Sequence, residues 1–262
     1  MAPGTIQWVY AFVDRPKERF AKAHAFWAAV TGTRLSAFRG DDDQFVTLLP
    51  DALLPEGPLP EEADAFLKAQ AVEGPGGAHL DFAVEDVPAK AREARALGAV
   101  PVFAEEGLEV LRSPGGQLFC VVRWEGEKVR PGPLLAPDGT TSRLDQVCLD
   151  VPPAVFEAEK AFWPAFTGWS DRPGSRPEFH LVEPDPRLPI RILLQRLDTD
   201  GPAGAHLDFS CSDLDADRVR HEALGAETVW RGPHWIVMRD PAGGTYCLTI
   251  RNPETGGLPD AR

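Results

Sequence analysis

The sequence predicts an α+β protein built from four βαβββ modules, paired two and two into tandem domains. Three observations lead there: a long internal repeat, a strand-helix-strand order that occurs twice within each copy, and a Pro/Gly-rich stretch between the copies.

The repeat is read directly. Gly77-Ala78-His79-Leu80-Asp81-Phe82 returns as Gly204-Ala205-His206-Leu207-Asp208-Phe209, a shift of 206 − 79 = 127. The same shift carries Asp86 to Asp213, Ala96-Leu97-Gly98-Ala99 to Ala223-Leu224-Gly225-Ala226, and Cys120 to Cys247. Upstream, Phe26-Trp27 matches Phe162-Trp163 at 162 − 26 = 136, which also carries Asp14 to Asp150. The copies are therefore expected at 1–124 and 142–262, joined by a linker at 125–141 that holds Arg130-Pro131-Gly132-Pro133 and Pro137-Asp138-Gly139.

Each copy opens with an apolar strand, Trp8 to Val13 or Leu144 to Val151. A helix follows in which Phe20, Trp27 and Val30, or Phe156, Trp163 and Phe166, recur at helical spacing, and Gly32 or Gly168 ends it. Two strands come next, Gln44 to Leu49 and Phe66 to Val72, with Glu178 to Val182 and Arg191 to Leu197 as counterparts. The second module of each copy begins at the HLD strand. Asp86 or Asp213 caps its helix, Gly98 or Gly225 closes it, and a Pro114-Gly115-Gly116 or Asp240-Pro241-Ala242-Gly243-Gly244 turn leads into the last strand.

Composition excludes several classes of function. A net charge of −13 without a basic stripe argues against nucleic acid. No apolar run reaches the roughly 18 residues of a membrane span, and no leader pattern precedes the first strand, so a cytoplasmic location is the expectation. The four cysteines lie in apolar strand runs without CxxC spacing and read as reduced core thiols.

The HLDF strands, the FWxAxTG and ALGA helix ends and the DPAGGTYC turn together resemble the vicinal oxygen chelate superfamily, in its glyoxalase-like and bleomycin-resistance-like branch. The resemblance implies two incomplete barrels of the glyoxalase/bleomycin-resistance/dioxygenase type, each around a small-molecule cavity. It also implies metal ligands at four strand positions in the catalytic members. In the second copy those positions resemble Gln146, Gln195, His206 and Cys247, and in the first Trp8, Gln70, His79 and Cys120. The glutamates of glyoxalase I are absent, so no metal cofactor is expected. The leading expectation is a protein that binds a small organic molecule without a catalytic metal, for sequestration or resistance. The alternative is a lyase or isomerase, possibly metal-assisted, with His206 and Asp208 catalytic.

His79 and Asp81, like His206 and Asp208, are two residues apart and share one face of a strand. Such a pair suits a general base or a ligand anchor, and equally a buried pair that orders the seam; the residues alone leave both open. Gln70 and Gln195 suit a carbonyl or amide of a ligand as well as structural satisfaction. Trp8 and Tyr10 suit stacking on an aromatic ligand or simple core packing. His24 and His221, on helices, are expected to be solvated, and His234 to lie near a pocket mouth. The expected partner is a small-molecule ligand or substrate, in a monomer or homodimer, and the second pocket is favoured as the active one.

Overall fold

The computed structural model describes residues 4–50 and 63–259. Residues 1–3, part of the N-terminal reading above, lie outside it. The first copy runs β1 (Trp8–Pro16), α1 (Phe20–Thr31), β2 (Thr33–Leu35), β3 (Phe45–Pro50), β4 (Leu67–Val72), β5 (Gly77–Val84), α2 (Val87–Ala96), β6 (Val100–Glu105), β7 (Leu108–Arg112) and β8 (Leu118–Arg123). A short β9 (Leu134–Leu135) lies in the stretch read as linker. The second copy runs β10 (Thr141–Val151), α3 (Phe156–Thr167), β11 (Ser170–Pro173), β12 (Phe179–Glu183), β13 (Arg191–Arg196), β14 (Gly204–Cys211), α4 (Leu214–Ala223), β15 (Glu227–Arg231), β16 (Trp235–Arg239) and β17 (Thr245–Thr249). Four βαβββ modules in an α+β fold result, as the repeat implies.

The local signals act as the chemistry dictates. Gly32 and Gly168 adopt left-handed φ values of 62° and 71° where α1 and α3 stop, a conformation that costs an L-side chain about 1–2 kcal/mol. The carboxylates of Asp86 and Asp213 accept backbone N–H groups at the starts of α2 and α4.

The hydrogen-bonded strand orders are β2-β3-β4-β1-β5-β8-β7-β6 and β11-β12-β13-β10-β14-β17-β16-β15, with β9 beside β10. β5 and β8 run parallel, as do β14 and β17. Two compact units form, and each takes one module from each copy. The first comprises Met1–Phe12, Ala78–Lys128 and Val147–Ala205; the second comprises Val13–Gly77, Val129–Gln146 and His206–Arg262.

In the first unit the buried stripe of α3 packs on the β5 and β8 face: Phe119 lies 5.3 Å from Trp163 and Phe82 5.2 Å from Phe166, ring centre to ring centre. In the second, α1 does the same against β14 and β17, with Trp27 at 5.3 Å from Tyr246 and stacked on Phe209 at 6.0 Å. Full burial of each such ring contributes on the order of 2–3 kcal/mol.

The turn before the last strand shows how the copies have diverged. In the second unit Asp240 Oδ1 accepts from Ala242 N and Gly244 N, while Oδ2 accepts from Arg15 Nε at 2.7 Å and Trp27 Nε1 at 3.0 Å. Gly244 is required here, since a Cβ would sit 2.1 Å from the Arg15 guanidinium carbon. In the first copy the aspartate is replaced by Ser113, and the carboxylate comes instead from α3: Glu159 accepts from Gly115 N at 2.7 Å and Trp163 Nε1 at 2.6 Å. Both copies thus satisfy a buried tryptophan N–H and a turn N–H with one carboxylate, supplied from different elements. Burial raises the pKa of Glu159, an effect its three hydrogen-bond donors oppose.

His221 departs from expectation. It is wholly buried in α4, with Nδ1 2.9 Å from the Tyr246 hydroxyl, where the first copy has Ala94 and Phe119. Burial, reinforced by the Arg220 cation, pushes its pKa down from 6.5 to about 3. Unfolded chain therefore takes up a proton near pH 6.5 that the folded state refuses until about pH 3, and stability is lost as pH falls through that window. Stability measured by urea unfolding from pH 7 to pH 4 should fall more steeply for the wild type than for His221→Ala, by up to about 1.4 kcal/mol per pH unit. Parallel slopes would show that His221 does not contribute.

Candidate metal and ligand site

In the first unit, β5 turns Leu80 and Phe82 towards the α3 core and His79 and Asp81 to the opposite face. Asp81 is the register partner of Cys120 on β8, so the thiol lies on the same face. One donor atom from each of His79, Asp81 and Cys120 falls within 4.8 Å of the other two, and His79 Nε2 is 3.6 Å from Asp81 Oδ1. Asp81 Oδ1 is buried with no hydrogen-bond partner among the described residues.

β1 supplies one wall. Trp8, Tyr10 and Phe12 alternate onto one face, and the Phe12 ring stacks on the His79 imidazole at 4.3 Å with an interplanar angle of 18°. The Tyr10 hydroxyl donates to Glu127, a residue of the stretch read as linker, which Trp124 Nε1 holds through its carbonyl at 3.1 Å. Burial, the Glu127 bond and charge, and then Asp81 drive the Tyr10 pKa far up, so the phenol stays protonated. Trp8 is 1 % exposed and belongs to the buried core. The residue collinear with Gln146 is Tyr10, because 146 − 10 = 136 is the shift that carries Asp14 to Asp150. Trp8 matches Leu144 instead.

In the second unit, His206 Nε2 is 3.4 Å from Asp208 Oδ1, and Gln146 Nε2 donates to Asp208 Oδ2. Cys247 is the register partner of Asp208. Gln70 is half-buried on β4 opposite Phe45. In the first unit Gln195, on β13, accepts from Cys148 Sγ at 3.5 Å. His24 is half-buried and His234 exposed. Sequence reasoning passed over Phe12 and Glu127. Phe12 carries no distinctive signal beyond its strand position, and Glu127 is joined to Tyr10 across 117 residues.

The "Glyoxalase-like domain" family matches residues 11–122 and 146–249, most of both copies. The chain belongs to the glyoxalase-like domain family. No curated protein sequence matches it. Among solved structures this glyoxalase-like chain is similar to the Mn(II)-bound glyoxalase from Novosphingobium aromaticivorans, at 18% identity and a TM-score of 0.56, covering 98% of this chain and 88% of that one. An extradiol ring-cleaving dioxygenase from B. fuscum is similar at 16% identity and a TM-score of 0.61, over 100% and 75%. The 2,2',3-trihydroxybiphenyl 1,2-dioxygenase from Sphingomonas wittichii strain RW1 follows at 12%, 0.60, 94% and 90%. At these identities the likeness shows the fold alone; together with the family match it bears out the resemblance to the vicinal oxygen chelate superfamily.

The expectation that this glyoxalase-like chain lacks a metal cofactor is corrected. His79, Asp81 and Cys120 form a compact donor set, in a fold that in one neighbour holds Mn(II). The expectation rested on the missing glutamates and counted one histidine per copy. It left Asp81, which shares the strand face of His79, out of the ligand count, and took the Cys120 thiol for core packing. Imidazole, carboxylate and thiolate suit a borderline ion such as zinc, and the unsatisfied Asp81 oxygen is consistent with a ligand role.

Proposed function

We propose that this chain is a metal-assisted enzyme of the lyase or isomerase type that acts on a small organic molecule, with the ion held by His79, Asp81 and Cys120. The observation that carries the reading is the convergence of those three donors on one sheet face. When bound, a divalent ion there supplies Lewis-acid polarisation of a substrate oxygen. The residues of the chain do the rest. Phe12 fixes the plane of the His79 ring, and Tyr10, its proton committed to Glu127, offers a hydroxyl oxygen as an acceptor for ligand. In the second copy Gln146 clamps Asp208 so that its other oxygen approaches His206, an arrangement suited to orienting a general base. Gln70, Gln195, Cys247 and Trp8 are further candidates for ligand contact.

One histidine, one carboxylate and one thiol differ from the two-histidine, one-carboxylate set of non-haem iron oxygenases, which favours non-redox chemistry over ring cleavage. The buried thiols fit a reducing, cytoplasmic setting.

The test is elemental mass spectrometry on protein purified without a histidine tag, then loaded with zinc or manganese and dialysed. At least about one ion per chain is expected, with affinity reduced about 100-fold or more in His79→Ala. Equal metal content in the variant and the wild type, or none in either, would overturn the proposal.

A further inference from the structure

A second cluster, in the second unit, has no part in that chemistry. Arg143 and Asp145 on β10 point away from the Gln146 face, and Arg251 follows β17. All three are buried: Arg251 is 4% exposed, Asp145 4% and Arg143 8%. Arg251 Nη1 lies 2.7 Å from Asp145 Oδ1, Arg143 Nη2 lies 4.0 Å from Asp145 Oδ2, and Arg143 Nη2 donates to the Glu254 carbonyl at 3.0 Å. Nε and Nη2 of Arg251 and Nε of Arg143 are buried with no hydrogen-bond partner among the described residues. Half-buried Arg130 adds a third cation: after burial itself, its charge is the largest influence pushing Arg143 down to about 10.

Three guanidinium groups thus stand around one buried carboxylate, and the exposed Glu254 carboxylate is the further negative charge acting on Arg143. Buried charge without full pairing is costly, and an arginine fork with idle donors is matched by a planar or tetrahedral oxyanion. The fold itself does not require these charges. At the collinear positions the first copy carries Gln7 for Arg143, Val9 for Asp145 and Trp124 for Arg251. The charges were therefore acquired, or kept, by one copy alone, in a chain whose net charge is −13.

We propose that Arg143 and Arg251, with Arg130 at the more exposed side, bind a small oxyanion, a phosphate or a carboxylate group, at a site that uses neither His79 nor His206. Isothermal titration of the full chain with inorganic phosphate and with acetate, against chloride at matched ionic strength, tests this. Saturable binding of either anion is expected, phosphate alone marking a phosphoryl group and acetate alone a carboxylate. Binding should weaken about tenfold or more in both Arg143→Gln and Arg251→Met. Should Arg251→Met fail to fold, Arg143→Gln decides the matter, because glutamine already occupies that strand position in the first copy. No saturable binding of either anion, or unchanged binding in a folded Arg143→Gln variant, would overturn the proposal.

Discussion

Asp240→Ala is expected to cost about 3–5 kcal/mol of folding stability, the range for breaking a buried ion pair from one side. The carboxylate is fully buried, and its removal strands the Arg15 guanidinium, the Trp27 indole N–H and two turn N–H groups together. Arg15 has other acceptors, the carbonyls of Asp14 and Gly77, but these leave its charge uncompensated. Urea unfolding measures the loss. Hydrogen exchange should place it in 13–77, 129–146 and 206–262, the segments of the second unit. A change below about 1 kcal/mol would mean that Arg15 finds water or another partner once the carboxylate is gone.

Glu159→Ala should cost less, about 2–3 kcal/mol, although the same two kinds of donor are stranded. Among the described residues no cation acts on Glu159: in its unit Val151 stands where the other unit has Arg15. The loss consists of unsatisfied N–H groups on Trp163 and Gly115 without a buried unpaired charge. Its exchange signature should fall in the first unit, at the Gly115 turn and along α3. If both variants lose the same stability, the ion pair with Arg15 adds nothing beyond its hydrogen bonds.

The repeat made the modules legible, because identical turns, caps and helix stops recur at constant spacing. Gly32, Gly168, Asp86 and Asp213 mark element ends through backbone geometry alone, which sequence expresses directly. The exchange of modules between copies was not legible. The aromatic stripes of α1 and α3 are nearly identical, so either would fit either sheet, and nothing in the pattern says which one each meets. The candidate site was half legible: the His-x-Asp spacing put two side chains on one face, while Cys120 read as core because a thiol in an apolar run gives no sign of what stands opposite. Glu159 and Glu127 were hidden for a related reason. Each reaches a partner 44 or 117 residues away, Gly115 and Tyr10 respectively, from a position that looks like ordinary polar surface.

Since each compact unit is composed of one module from either copy, a half-length chain holds two half-units and completes neither. Two such chains would have to meet, and the outcome would depend on their concentration. The connection at 125–141 turns that encounter into an intramolecular one, with an effective concentration of order millimolar for a short flexible tether. Cutting it after folding should therefore leave a bound pair, whereas separating the halves before folding should leave two chains whose stability rises with the amount of each partner present. Neither copy is then free to drift alone, since a residue on the helix of one is judged by the sheet of the other.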